Sequence, residues 1–153
     1  MSMSDELSSR LILSNALAQS MVAACFADQA ENGYSNVNVF VVDDGGHLLA
    51  ASRQDGACKA CASIAENKAI TSALYGAPTR VFADLSFGEN RDGVDAGLPG
   101  AAFVPGLVAF AGGLPISTAD GAVIGGIGVS GASSDEDEQC AQAGLDAISA
   151  SLN

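Results

Sequence analysis

The sequence predicts a mixed α/β (α+β) fold: a single domain over residues 1–153, with about five mostly antiparallel strands and helices packed on them. Three observations carry this. Asp44-Gly45 and Asp120-Gly121 each stand between apolar, β-branched runs, the pattern of a tight hairpin. Helical periodicity occupies both ends of the chain. The order helix, hairpin, helix, loop, three strands, helix leaves little room for a parallel, doubly wound sheet.

Asp5 to Glu31 reads as one long helix, with Ser4 as its N-cap and Asp5 and Glu6 suited to the positive end of the helix dipole. Leu13, Leu17, Met21 and Ala24 share one face, and Gly33 stops it. Asn36–Val42 and His47–Ser52 form the first hairpin. Cys58–Tyr75, rich in alanine, is the second helix, closed by Gly76 and Pro78. Val81, Phe82 and Leu85 then mark a short helix, while Gly88, Gly93, Gly97, Pro99 and Gly100 break the following residues into loop. Val104–Phe110 reads as a strand leading into the central hairpin of Leu114–Ser117 and Ala122–Val129. Gly125, Gly126 and Gly128 weaken that last strand, so something must approach its backbone closely: a helix, a partner subunit or a ligand. Asp135–Leu152 is the final helix, with Ala141, Leu145, Ile148 and Leu152 on one face.

Eighteen acidic residues against six basic ones give a net charge of -12, which repels nucleic acid and anionic membrane surfaces. Neither is expected as a partner. No basic segment followed by an apolar core opens the chain, and no apolar run approaches ~20 residues, so neither a signal peptide nor a membrane span is expected. Four cysteines in that setting read as reduced thiols of a cytoplasmic protein. A positive mean hydropathy over a chain rich in Ala and Gly implies more apolar surface than one small domain hides, hence a homo-oligomer.

Gly126-Ile127-Gly128-Val129-Ser130-Gly131 matches the nominal dinucleotide fingerprint G-x-G-x-x-G. Asp135-Glu136-Asp137-Glu138 would repel a pyrophosphate from the helix that follows, and no second parallel strand is available, so tight packing is the better explanation. The acidic run suits a capping box with Ser133 or Ser134 better than a hard-cation site. Cys58-Lys59-Ala60-Cys61 is a C-x-x-C motif preceded by a hairpin rather than a βα unit. As a zinc half-site it would have only Cys25, Cys140 and His47 to complete it, so it reads as a chance spacing, and no metal site is assigned. His47, after a hairpin turn, reads as structural. Lys68 stands among small residues and must reach water, an acid or an anionic ligand; Glu66 and Asp55 are the intramolecular candidates.

Assembled, these residues resemble the GlcG/HbpS-like domain family, often labelled haem-degrading and related to the C-terminal domain of PduO-type cobalamin adenosyltransferases. The resemblance rests on Val41-Val42-Asp43-Asp44-Gly45-Gly46-His47-Leu48, Arg53-Gln54-Asp55-Gly56-Ala57 and Lys68-Ala69. It continues through Gly112-Gly113-Leu114-Pro115-Ile116, Gly125–Gly131, and Asp137-Glu138 with Ala141 and Gly144. It runs from about Leu11 to Leu152. The resemblance implies a profilin-like three-layer α/β/α architecture, oligomers built from dimers up to octamers, and haem or corrinoid binding in some members. Cys58, Cys61 and the segment Phe87–Pro105 depart from the pattern.

The expected function is therefore a small-ligand-binding protein, with haem or a corrinoid as the cofactor the resemblance implies and Arg53, Lys68 or Arg80 as partners for its carboxylates. The alternatives are an enzyme acting on a small carboxylated or carbonyl metabolite, and a structural or sensory oligomer without chemistry. In the enzyme reading Lys68 acts as acid, base or anchor beside Asp55 or Glu66. A ligand cleft is expected along Gly112, Gly113, Ser130 and Gly131, with Asp137 from the last helix, Lys68 and Thr71 from the second, and Arg53 nearby.

Overall fold

A computed structural model describes residues 7–88 and 97–153. The elements run α1 (Asn15–Asn32), β1 (Asn38–Asp43), β2 (Leu48–Arg53), α2 (Cys61–Tyr75), α3 (Thr79–Phe87), β3 (Gly113–Ser117), β4 (Val123–Ser130) and α4 (Ser134–Ile148), with 3-10 turns at Ala101–Phe103 and Ser149–Ser151. The strands form one antiparallel sheet in the order β2-β1-β4-β3. The predicted hairpin of β1 and β2 is present, with Val39 opposite Ser52. Among the described residues no helix is long and apolar enough to cross a membrane.

Side-chain alternation along β1 builds the layers. Val37, Val39 and Val41 face the main core, where Met21 and Cys25 of α1 meet Cys140, Ala141 and Ile148 of α4. Phe40 and Val42 face the other way, onto Ala69 and Ala73 of α2. Strand β4 does the same with a difference: Ile127 and Val129 join the main core, while Gly126 and Gly128 face α2. A Cβ on Gly126 would strike the Ala69 carbonyl, and one on Gly128 the Ala65 carbonyl. The close approach implied by these glycines is therefore made by a helix. The result is the three-layer α/β/α arrangement, with α1 and α4 on one face and α2 on the other.

Among the described residues four strands replace the expected five. Val104–Phe110 is not a strand, because Pro105 and Gly106 (φ 80°) turn the chain and Leu107 donates back to the Val104 carbonyl at 3.1 Å. Thr71 of α2 holds this segment in place of a neighbouring strand. Its hydroxyl donates to the Gly106 carbonyl (3.3 Å) and accepts from the Val108 amide (3.2 Å).

The first helix also starts later than expected. Ser14, not Ser4, is its N-cap, with Oγ accepting from the Leu17 amide at 3.2 Å. Residues 7–14 lead in without helix: Leu13 enters the core and Arg10 pairs with Asp44 at the β1–β2 turn. Ser4, Asp5, Glu6 and Gly93 lie outside the described residues. At the other end the capping box forms between Ser133 and Glu136, and the α-helix stops at Ile148 rather than Leu152. Gly121 takes φ 89° in the β3–β4 turn, the positive angle that its Asp-Gly pair predicts.

Candidate functional site

Halfway along α2, Lys68 points through the small-residue face into the sheet and is fully buried. Its ammonium donates to Asp137 Oδ2 at 3.0 Å and to the Val129 carbonyl at 2.8 Å. Asp137, 3% exposed in the first turn of α4, accepts from the Ala132 amide on its other oxygen (3.0 Å). The Phe110 ring covers the ammonium, its centroid 4.8 Å from Nζ. Burial draws the Lys68 amine below its ordinary value and pushes the Asp137 carboxyl up, and their mutual attraction only partly offsets both.

Glycine makes this pocket geometrically available. At Gly112 (φ 129°) a Cβ would collide with Lys68 Nζ and the Val129 carbonyl; at Gly113 it would meet the Lys68 carbonyl. The Gly113 amide donates to Thr79 Oγ1 at 2.9 Å, so it is not free for a ligand.

The predicted site residues therefore separate into groups. Lys68, Asp137, Gly112 and Gly113 come together. Ser130 and Gly131 close the end of β4, where the Ser130 carbonyl accepts from Asn38 Nδ2 (3.1 Å) and Gly131 lies against the Asn36 backbone. Thr71 serves the 106–108 segment. Arg53 and Asp55 are exposed around the end of β2, and Glu66 is exposed on α2. Lys68 takes Asp137 as its acid and neither Glu66 nor Asp55, because the inward face of α2 points at α4 across Gly112 rather than along its own helix.

Beyond Phe110 lies a cleft of about 470 Å³. Arg80, Ala83 and Phe87 of α3 form one wall, Ala109–Ala111 the floor, and Ser133–Asp135 the other wall. Arg80 is already engaged: its Nε lies 3.2 Å from both Glu138 carboxylate oxygens and its terminal nitrogen pairs with Asp135. Reading Val104–Phe110 as a strand placed Phe110 in the sheet, so its part in this cleft was missed. The signal was the pair of isolated aromatics, Phe87 and Phe110, in a chain only 5% aromatic.

A family model described as haem degrading protein HbpS-like matches residues 13–146. Protein GlcG of Escherichia coli K12 is 36% identical over 121 residues, spanning 79% of this chain and 83% of GlcG. The crystal structure of HbpS superposes with a TM-score of 0.81 at 35% identity, over 97% of this chain and 98% of that one. That of a PduOC–haem complex superposes with a TM-score of 0.75 at 25% identity, over 90% and 96%. With the family model matching residues 13–146 and sequence and fold similar over most of each chain, the chain belongs to the HbpS-like family.

Proposed function

We propose that this chain is a small-ligand-binding protein whose ligand is a tetrapyrrole, haem or a corrinoid, seated in the cleft beside Phe110. The shape and chemistry of that cleft carry the reading. Phe87, Phe110 and three alanines supply apolar walls, and Arg80 supplies a guanidinium that is 45% exposed, a match for a flat apolar ring with carboxylates. The similarity to a structure that holds haem supports the same ligand class.

The cleft fits the ring and not the iron. None of its described lining residues is His, Cys, Met or Tyr, the side chains that ligate haem iron. His47 stands instead at the β1–β2 turn, 81% exposed, its Nδ1 3.2 Å from Asp43. Ring contacts and carboxylate pairing therefore supply the affinity, with Arg80 shared between the ligand and its two acids. Titration with haem and with iron-free protoporphyrin tests this. Both should bind, with affinities within about threefold, and Phe110→Ala should weaken both by about tenfold. No change in the absorption of either porphyrin overturns the proposal; binding of haem alone overturns the ring-contact basis.

We propose that the protein works as a homo-oligomer, built from dimers up to an octamer. Exposed Leu48 on edge strand β2, Leu74 and Tyr75 on α2, and Phe103 support this. A particle of single-chain mass in light scattering at micromolar concentration overturns it.

One observation favours a second reading, an enzyme acting on a small carboxylated or carbonyl metabolite: burial moves Lys68 and Asp137 towards their uncharged forms, as acid–base catalysis needs. Turnover of short 2-oxo acids that disappears in Lys68→Met/Asp137→Leu, with the fold intact, would establish it. Unchanged turnover in that variant, or none in the wild type, removes it for that substrate class.

A further inference from the structure

We propose that Cys58 and Cys61 form a thiol–disulfide exchange site that reduces low-molecular-weight disulfides. Cys58-Lys59-Ala60-Cys61 is a turn closed by the Cys61 amide on the Cys58 carbonyl at 3.2 Å, which keeps the two cysteines within the span of a single tight turn. The same Cys58 carbonyl accepts from Nδ2 of Asn38, at 3.0 Å, and Asn38 is fully buried on β1. The turn is thus pinned to the centre of the sheet rather than free to wander. Cys58 is exposed and Cys61 half-buried, so a solution disulfide reaches the first sulfur before the second.

The surroundings divide the labour between the two thiols. The Cys61 thiol, with the Cys61 and Ala60 amides, draws the Cys58 thiol below its ordinary value. Cys61 is pushed up by its partner and by burial. A thiolate that is accessible at the start of a helix, backed by a protonated thiol one turn on, is the arrangement that attack and resolution require. Cys25 and Cys140 offer no such site: both are buried, and each thiol donates to the other residue's carbonyl.

In the first step the Cys58 sulfur attacks one sulfur of the disulfide; a Cys58–S–S bond forms, the original S–S bond breaks, and one thiolate leaves. In the second, Cys61 gives up its proton and its sulfur attacks Cys58 Sγ, expelling the other half. One disulfide becomes two small thiols, Cys58 and Cys61 become one protein disulfide, and the Cys61 proton ends on a released thiol. The site is independent of the tetrapyrrole reading.

The whole chain is incubated with oxidised glutathione and mapped by mass spectrometry without reduction. The expected product is a Cys58–Cys61 disulfide, with Cys25 and Cys140 still free. In Cys61→Ser a glutathione adduct on Cys58 should accumulate; in Cys58→Ser neither product should form. Limiting iodoacetamide should label Cys58 at least about tenfold faster than Cys61. Separate glutathione adducts on the two cysteines of the wild type, no reaction at either, or a Cys61→Ser variant without the Cys58 adduct overturns the proposal.

Discussion

Lys68 Nζ lies 3.0 Å from Asp137 Oδ2, and the pair sits where α2, α4 and the Gly112–Gly113 backbone converge. Truncating one partner strands the other charge in a buried site. Lys68→Met and Asp137→Leu should each lose roughly 3–5 kcal/mol of stability, measured by urea unfolding. The double variant should recover part of that loss, because two apolar side chains need no solvation. If the two single losses simply add, the side chains do not act as a pair.

The same pair sets a pH signature. Folding raises Asp137 above 3.8, so the folded state holds more protons than the unfolded one just above that pH, and this contribution to stability falls as pH rises through the window. Folding lowers Lys68 below 10.5, so the unfolded state holds more protons on the approach to that pH, and this contribution rises with pH. The stability of the wild type relative to Lys68→Met/Asp137→Leu should therefore pass through a minimum between these windows. Urea melts across the range check it, and a maximum in the middle would contradict the stated directions.

Gly128 tests the packing of α2 on β4. A methyl group there meets two backbone atoms of α2, the Ala65 carbonyl and the Ala69 amide, with the Lys68 Cβ at 3.0 Å. Neither can move aside cheaply. Gly128→Ala should cost about 3 kcal/mol or more, whereas Gly100→Ala, where nothing lies near, should change little. Equal effects in thermal melts would refute this account of the glycines.

Much of the architecture could be read in advance because its causes are local. Asp120-Gly121 declares a turn, Ser133 with Glu136 declares a helix start, and Gly126 and Gly128 declare a close neighbour. Lys68 stood out as a cation among alanines, and Asp137 was named with it as part of one cleft. Their direct pairing was not legible, because it depends on how α2 crosses the sheet, a relation between residues 69 positions apart. Phe110 escaped for a related reason. An apolar run reads as a strand unless one knows that Thr71 will claim its backbone.

The strand order has a consequence for how the chain is made. The two central strands, β1 and β4, are far apart in the sequence, with Asn38 facing Ser130 across 92 positions. As synthesis proceeds, β1 can pair only with β2, and its second hydrogen-bonding edge stays open until β4 has emerged. Val39, Val41 and Val42, all but fully buried in the finished molecule, wait through that interval on a two-stranded ribbon, a structure that is marginal in water. Closure of the sheet is a long-range event, the slow kind in folding, and self-association competes with it while β4 is absent.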